Sequence, residues 1–550
     1  VQRALESLSV GRLPYLLLLL LCLGLYLPGI TSLPPLDRDE SRYLQASRQM
    51  LETGNFVQIR FQDEARNKKP AGVYWLQAAA MALSGDPDAA WPARLVSVLG
   101  ATLAVLLTFG FGRLLIDRPT ALLAASLLAV TADLVFEAHV ATTDAVLLPS
   151  AVAAEGALGL AYLSGNSGRH LPRGTALAFW LAQGAALLIK GPVVALLSLL
   201  TAAALVIADR RGGFLRLLRP VWGIPLALAM VAPWLVLIEW QTGGAFLRES
   251  VGHDLLGKVE GAQEAHGAWP GYYLALLPVT FWPTTLFLGP ASIWLWRRRR
   301  TAEARFLAAW IIPFWVVLEL VPTKLPHYVL PLYPALALAA ALGLTRIAPP
   351  TGAWVWVERG FVGLFVLLAG ALVAALLGLP TLLGLPIMLV GAAGAAGMGG
   401  AMFQVMVTDH RRARLAAVPH AITVALFLAV LGIGWEIPAL DPLWLTRNAA
   451  AMVDAARRPG EIVAATGYAE PSLVFALGTD TRMLVAPVAA GALARHAVGL
   501  ALVEAGDDAE FRAELARQGA AVQSMGSAGG FDYSNGKWLT LRLYRLRSEG

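Results

Sequence analysis

The chain has a single cysteine, Cys22, in 550 residues, so no intrachain disulfide can form wherever its loops lie. Charge is scarce too. Asp, Glu, Lys and Arg make up 15% of the residues, too few to cover a soluble enzyme of this length. No Gly-x-Gly-x-x-Gly follows a strand-like segment, which removes the common dinucleotide-binding signature, and no internal repeat of the kind many transporters carry is visible. The apolar stretches 360–378, 384–407 and 415–435 contain no Asp, Glu, Lys or Arg. A secondary transporter should place ionisable groups mid-span in both halves, so this absence counts against transport. Glu155, Glu239 and Glu319 are the exceptions, and each reads as a helix-to-helix or interfacial hydrogen-bonding group.

What remains is apolar. Hydrophobic residues reach 57% and mean hydropathy is +0.62, with 17 Trp to populate interfacial belts. This composition predicts an α-helical polytopic membrane protein. The net charge of +6 and pI near 9.5 do not imply nucleic acid, because the basic residues come in short clusters between apolar runs. Topology and anionic membrane lipids explain that pattern better. The N-terminal VQRALESLSVGRLPYLLLLLLCLGLYLPG lacks a small-x-small cleavage site and reads as a retained first span.

Candidate spans fall near 13–30, 89–115, 119–137, 144–163, 174–190, 192–208, 220–240, 272–296, 306–321, 328–347, 360–378, 384–407 and 415–435, giving about 13 transmembrane helices. The run 71–84 is too short to cross and is expected to lie at the interface. Arginine clusters alternate to one side: Arg113 and Arg118, Arg210 and Arg211, Arg297 to Arg300, Arg411 and Arg412. The positive-inside rule makes that side cytoplasmic. The opposite, periplasmic side receives 31–88, the loop 241–271, the segment VPTKLPHY at 321–328 and the tail. From 436 to 550 the apolar runs shorten to strand length (EIVAATGY, MLVAP, VGLALVEA, WLTLRLYRL) around a helix DAEFRAELARQGA, which predicts a C-terminal periplasmic α/β domain after a membrane domain of 1–435.

The outward segments carry the chemistry. Between Leu33 and Pro70, Asp37, Asp39, Glu40, Asp63 and Glu64 stand beside Arg38, Arg42, Arg48, Arg60, Arg66, Lys68 and Lys69. Charge at that density cannot enter hydrocarbon and forms a polar shelf at one membrane face. A reaction at a phosphate-bearing lipid needs cations for the phosphate and a carboxylate near the sugar or the attacking group. Arg42, Lys69 and Lys324, with Tyr328, are candidates for the first role, and Asp39 or Asp144 for the second. Taken singly, Asp39 and Glu40 also read as a helix start, Lys69 and Lys190 as interfacial anchors, and Asp144 as a helix cap. Their joint occurrence on one face favours a site, with a cavity walled by 31–70, 241–271 and 321–328.

Asp39, Glu40, Arg42 and Tyr43, then Lys69-Pro70, Lys190-Gly191 and Lys324-Leu325-Pro326 with Tyr328, resemble the polyprenyl-phosphate-dependent GT-C glycosyltransferases. Within them the pattern is most similar to the lipid A 4-amino-4-deoxy-L-arabinose transferases, relatives of the protein O-mannosyltransferases. Two positions depart from the family pattern: Lys68 replaces a frequent acid before the lysine, and Thr143-Asp144-Ala145 replaces a frequent Leu-Asp-Pro. No carboxylate role carries over at the first. The resemblance implies transfer of aminoarabinose from undecaprenyl phosphate to a lipid A phosphate at the outer face of the bacterial inner membrane. It implies a single inverting displacement without a nucleotide cofactor, and a lipopolysaccharide charge change that confers resistance to polymyxin and cationic peptides. A protein O-mannosyltransferase is the alternative. In the loop, His253 and His266 with Glu64 on the shelf are candidate ligands for a divalent metal, zinc or magnesium, although their spacing matches no fixed signature.

Overall fold

The computed structural model of the chain describes residues 2–167, 171–250, 252, 267–348, 351–386, 388, 391–394, 396–397, 399–400 and 414–547. The first part is helical: α1 (Gln2–Leu8), α2 (Leu13–Tyr26), α3 (Asp39–Thr53), α4 (Gly72–Ser84), α5 (Trp91–Leu115), α6 (Arg118–Ala129), α7 (Ala132–His139), α8 (Asp144–Ser167), α9 (Thr175–Lys190), α10 (Val193–Asp209) and α11 (Pro220–Thr242). Among the described residues six helices are long and apolar enough to cross a membrane, or eight if each of two bent pairs is one span, with α2, α9 and α10 as shorter apolar helices.

The two bent pairs differ from the straight spans expected at 119–137 and 272–296. The first, α6 with α7, bends by 59°, and the second, Tyr272–Thr280 with Thr284–Arg297, by 110°. A break in a helix frees backbone polar groups, tolerable at membrane depth only where protein satisfies them. The two breaks satisfy each other: the Ala132 amide donates to the Trp282 carbonyl at 2.7 Å, and the Thr284 hydroxyl to the Leu127 carbonyl at 2.8 Å. The Tyr26 hydroxyl donates to the Ala129 carbonyl at 2.9 Å, closing the end of α6. The bend gives α7 its own direction.

Close packing fixes the heads of α8 and α9. A Cβ at Gly100 on α5 would lie 2.5 Å from the Ala145 carbonyl oxygen, and one at Gly72 on α4 would lie 2.6 Å from the Leu188 carbonyl oxygen. Only glycine admits backbones at that distance. The shelf itself is tied down from below by Arg94, the fourth residue of α5, which is fully buried. Its guanidinium meets Glu40 through both carboxylate oxygens, at 2.8 and 2.9 Å, and donates to the carbonyls of Ile30, Leu33 and Pro34. Glu40 also accepts from the amides of Leu36 (2.8 Å) and Ala141 (2.9 Å). One buried ion pair therefore joins the shelf, α5 and the turn before α8.

Residues 445–546 carry a five-stranded sheet in the order β4-β3-β5-β7-β6, from β3 (Val463–Thr466), β4 (Arg482–Met483), β5 (Leu500–Glu504), β6 (Val522–Asp532) and β7 (Lys537–Leu546). β3 runs parallel to β4 and β5, whereas β7 is antiparallel to β5 and β6. Alternation sorts the side chains: Val463, Leu500 and Leu543 pack with helices Leu445–Ala456 and Pro471–Leu477, while Ala464, Val503 and Tyr544 pack with Ala486–Ala494 and Asp508–Arg517. β6 (VQSMGSAGGFD) has no apolar alternation to announce it. It is an edge strand paired along β7, with a bulge at Ser524/Gly526.

This α/β unit rests on the shelf. Ser472 donates to the Asp37 carboxylate, the Asp37 amide donates to the Tyr533 hydroxyl at 2.8 Å, and Arg38 donates to the Ser534 carbonyl at 2.7 Å. Arg38 holds a positive φ of 64°, a conformation that costs a non-glycine residue about 1–3 kcal/mol and persists only when its surroundings impose it. Buried Arg48 on α3 donates to the Phe475 carbonyl at 2.8 Å. Asp37, Glu470 and Asp532 converge here, and burial followed by the neighbouring Asp37 and Asp532 raises the Glu470 carboxyl to about 7.

Two predictions follow from these contacts. Glu40→Ala leaves the Arg94 charge buried and unpaired, which costs about 3–5 kcal/mol; thermal unfolding of the purified protein in detergent should show a clear fall in Tm, and an unchanged Tm refutes the tie. A carboxyl raised in the folded state gives stability that is complete below its unfolded value and lost as pH rises through about 7. Amide protection factors in 463–477, which remove the intrinsic rise of exchange with pH, should therefore fall between acid and mildly alkaline pH, and Glu470→Gln should flatten that fall.

Candidate active site

The shelf, the head of α8, the end of α9 and the segment 323–328 meet around Asp144. Asp144 is buried, with 6% of its side chain exposed, and its Oδ1 lies 2.5 Å from Lys190 Nζ. Oδ2 accepts from the Thr143 hydroxyl at 3.1 Å and lies 3.6 Å from His327 Nε2. The Lys190 ammonium also sits over the Tyr328 ring, 5.2 Å from its centre. His327 Nδ1 lies 3.3 Å from Glu137 Oε1, and Glu137 Oε2 accepts from the Thr142 hydroxyl at 2.8 Å. The bend between α6 and α7 is what turns Glu137 to this place.

Asp39 opens α3 with 57% of its side chain exposed, 3.7 Å from both Arg42 and Arg66. Arg66 lies over the Tyr43 ring at 5.4 Å, and Tyr43 stacks on Tyr74 with centroids 5.0 Å apart. Burial, then Tyr74 and Asp39, push the Tyr43 phenol well above its ordinary value, so it remains neutral. Lys69 is half-buried, and its charge, like that of Asp39, reaches His327. An exposed carboxylate among cations and a buried ion pair thus both act on one imidazole. Such an arrangement can hold a phosphate against the cations and leave a carboxylate for a second polar group.

Of the residues singled out in the sequence, Asp39, Arg42, Tyr43, Lys69, Asp144, Lys190 and Tyr328 come together. Glu40 does not face them, being consumed by Arg94. Lys324 is buried and donates to the carbonyls of Leu318 (3.2 Å), Glu319 (2.8 Å) and Val321 (2.5 Å), closing the end of helix Ala302–Leu320. Burial lowers its ammonium below the ordinary lysine value. The reason is local: three helix-end carbonyls have no amide partner of their own and take the lysine first. Glu64 is exposed on β2 (Glu64–Ala65), paired with β1 (Arg60–Phe61) in a short hairpin. His253 and His266 lie outside the described residues, and among those described no group of three His, Cys, Asp or Glu could hold a metal.

Sequence reasoning counted Arg66 among the shelf cations without giving it a role, and passed over Tyr74, Glu137 and His327. His327 stood inside the quoted VPTKLPHY, and Glu137 ended an apolar run, where a lone carboxylate was the available signal. The three acids inside or beside apolar runs have partners: Glu155 accepts from Ser198 at 2.8 Å, Glu239 from the Leu247 amide at 2.8 Å, and Glu319 from the Gly271 amide at 2.8 Å. A cavity of about 440 Å³ lies between 30–37 and the α/β unit, bordered by Trp91, Trp444 and Tyr533. None of Asp39, Asp144, Lys190 or His327 lines it, so it is separate from the cluster.

Comparison with known proteins gives the class first. The sequence model of the family described as dolichyl-phosphate-mannose-protein mannosyltransferase matches residues 13–245. In sequence over about half of its length the chain is similar to undecaprenyl-phosphate aminoarabinose transferases, and in fold along almost all of it to ArnT. Among particular proteins, an undecaprenyl phosphate-alpha-4-amino-4-deoxy-L-arabinose arabinosyl transferase of Pseudomonas fluorescens is 30% identical over 301 residues, 54% of each chain. The Pseudomonas aeruginosa protein of that name is 30% identical over 336 residues, 60% of this chain and 59% of its own. The chain thus spans about half the length of the curated relatives it matches. The crystal structure of ArnT from Cupriavidus metallidurans bound to undecaprenyl phosphate superposes with a TM-score of 0.74 at 19% identity, covering 97% of this chain and 98% of that one.

The Asp144–Lys190 pair yields a prediction. Lys190→Met leaves Asp144 buried without its cation and should destabilise the protein by about 3–5 kcal/mol, whereas Lys190→Met with Asp144→Leu should recover much of that loss. Thermal unfolding of the three variants measures the coupling, and additive losses would deny it.

Proposed function

We propose that the chain is a glycosyltransferase that moves 4-amino-4-deoxy-L-arabinose from undecaprenyl phosphate to a phosphate of lipid A, at the periplasmic face of a bacterial inner membrane crossed about 13 times. The observation that carries this reading is Asp39 held between Arg42 and Arg66, with Asp39, Lys69 and the buried Asp144–Lys190 pair all acting on the one imidazole of His327. The names of the curated relatives supply the sugar and its carrier, and the one-sided arginine clusters support the orientation.

The donor's lipid phosphate is the leaving group, so no nucleotide is needed. Arg42, Lys69 and Tyr328 are the groups placed to hold it, with Arg66 beside them. An acceptor phosphate is already anionic near neutral pH, and Asp39 then serves to orient it or to meet the ammonium of the sugar. Attack from the face opposite the leaving phosphate inverts the anomeric carbon in a single displacement. The match to the mannosyltransferase family over 13–245 favours one second reading, a protein O-mannosyltransferase, in which a hydroxyl acceptor requires Asp39 as base.

The test is transfer in detergent or liposomes from undecaprenyl-phosphate aminoarabinose to lipid A, read as lipid mass. Wild type should add one aminopentose, and Asp39→Ala and Lys69→Ala should each lose about 10²–10³-fold in rate. No gain on lipid A, with gain on a hydroxyl-bearing peptide from a mannosyl donor, moves the chain to the second reading.

A further inference from the structure

His327 is anchored on one edge and open on the other. Its Nδ1 stands at hydrogen-bonding distance from Glu137, 3.3 Å, and Glu137 is itself fixed by Thr142. Its Nε2 is 3.6 Å from Asp144, beyond a hydrogen bond, so that edge faces the centre of the site without being used up there. The side chain of His327 is 22% exposed and that of Glu137 only 2%, which makes the imidazole reachable and the carboxylate its buried support. The Tyr328 ring packs edge-on against the imidazole with centroids 5.2 Å apart. The charged groups around His327 come from five places: Glu137 on α7, Asp144 on α8, Lys190 on α9, Asp39 on α3, and Lys69 on the shelf.

We propose that His327 is the catalytic proton donor to the leaving phosphate and that Glu137 is its positioning residue; this rests on the lipid-phosphate transferase reading above. Nδ1 lies against Glu137, which fixes the ring plane, and the negative charge of the two bound phosphates favours the doubly protonated imidazole. Nε2–H is left to meet a phosphate oxygen. As the bond from the anomeric carbon to the donor phosphate oxygen breaks, its electron pair stays on that oxygen, which takes the Nε2 proton. An oxygen of the acceptor phosphate forms the new bond to the same carbon. The carrier leaves as a singly charged phosphomonoester, the sugar is left in a singly charged diester, and the neutral imidazole regains its proton from water once the products depart. Tyr328 packs edge-on against the imidazole and carries Lys190 over its own ring, so both stand beside the proton donor.

The proposal is tested on the full chain with two readouts. In the transfer assay, His327→Gln should lower kcat by about 10²–10³-fold with a smaller change in KM, and should abolish the fall in rate as pH rises through the imidazole range. Glu137→Ala, which removes the support beside Nδ1, should lower kcat by about tenfold with KM little changed, and Glu137→Gln, which keeps the shape of the contact, should restore most of that loss. Independently of activity, diethyl pyrocarbonate modifies the unprotonated ring, and mass mapping follows the label on His327 from about pH 5 to about pH 8. Labelling should be blocked by undecaprenyl phosphate. A His327→Gln enzyme with the wild-type rate and pH profile overturns the proposal, as does labelling indifferent to undecaprenyl phosphate. If wild type transfers no sugar between these lipids, the function reading fails, and the His327–Glu137 pair stands or falls on the labelling alone.

Discussion

Glu40 meets Arg94 through both oxygens and still accepts two backbone amides, while Arg94 gathers three carbonyls from the approach to the shelf. A charge withdrawn from water must be met from every side or it is expelled. The pair therefore dictates where the chain leaving α2 can run, how α3 begins and where the turn before α8 lies. Asp39 is the residue before Glu40 and Asp144 is three residues after Ala141, so both carboxylates of the site take their places from this one buried contact. The same requirement repeats on a smaller scale in the Asp144–Lys190 pair and the Glu137–His327 contact.

The membrane part was legible because hydropathy reports it directly: α5, α8, α9, α10 and α11 fall within a few residues of the expected spans. The breaks at 130–131 and 281–283 were not. A broken span is as apolar as a straight one, and what permits the break is a partner far away in sequence, here the other break. The site followed the same division. Asp39, Arg42, Lys69, Asp144, Lys190 and Tyr328 were visible as polar groups where an inert loop has no need of them. Lys324 looked alike in sequence, but its nearest acceptors are the last carbonyls of its own preceding helix. Glu137 and His327 become intelligible only once α7 has been turned by the bend.

Packing and chemistry are not separable here. The absence of side chains at Gly100 and Gly72 lets α5 and α4 approach the backbones of α8 and α9, and those two helices present Asp144 and Lys190. A lysine and an aspartate brought from different helices can be held at contact distance only if the helices themselves cannot drift. Rigid elements supply the buried half of the site, and the shelf supplies the half that remains open to water.

Arg38 adds an order in time. Its left-handed backbone is held by the Ser534 carbonyl, and Asp37 beside it by Tyr533 and Ser472. Residues 533 and 534 sit in the turn between β6 and β7, well after the membrane helices in the chain. The membrane helices can be inserted and packed while the backbone leading into Asp39 still lacks its clamp. Maturation thus has a built-in dependence: the reactive end of α3 takes its final shape only when the β6–β7 turn closes on it, so a chain lacking that hairpin would leave an embedded but unfinished centre.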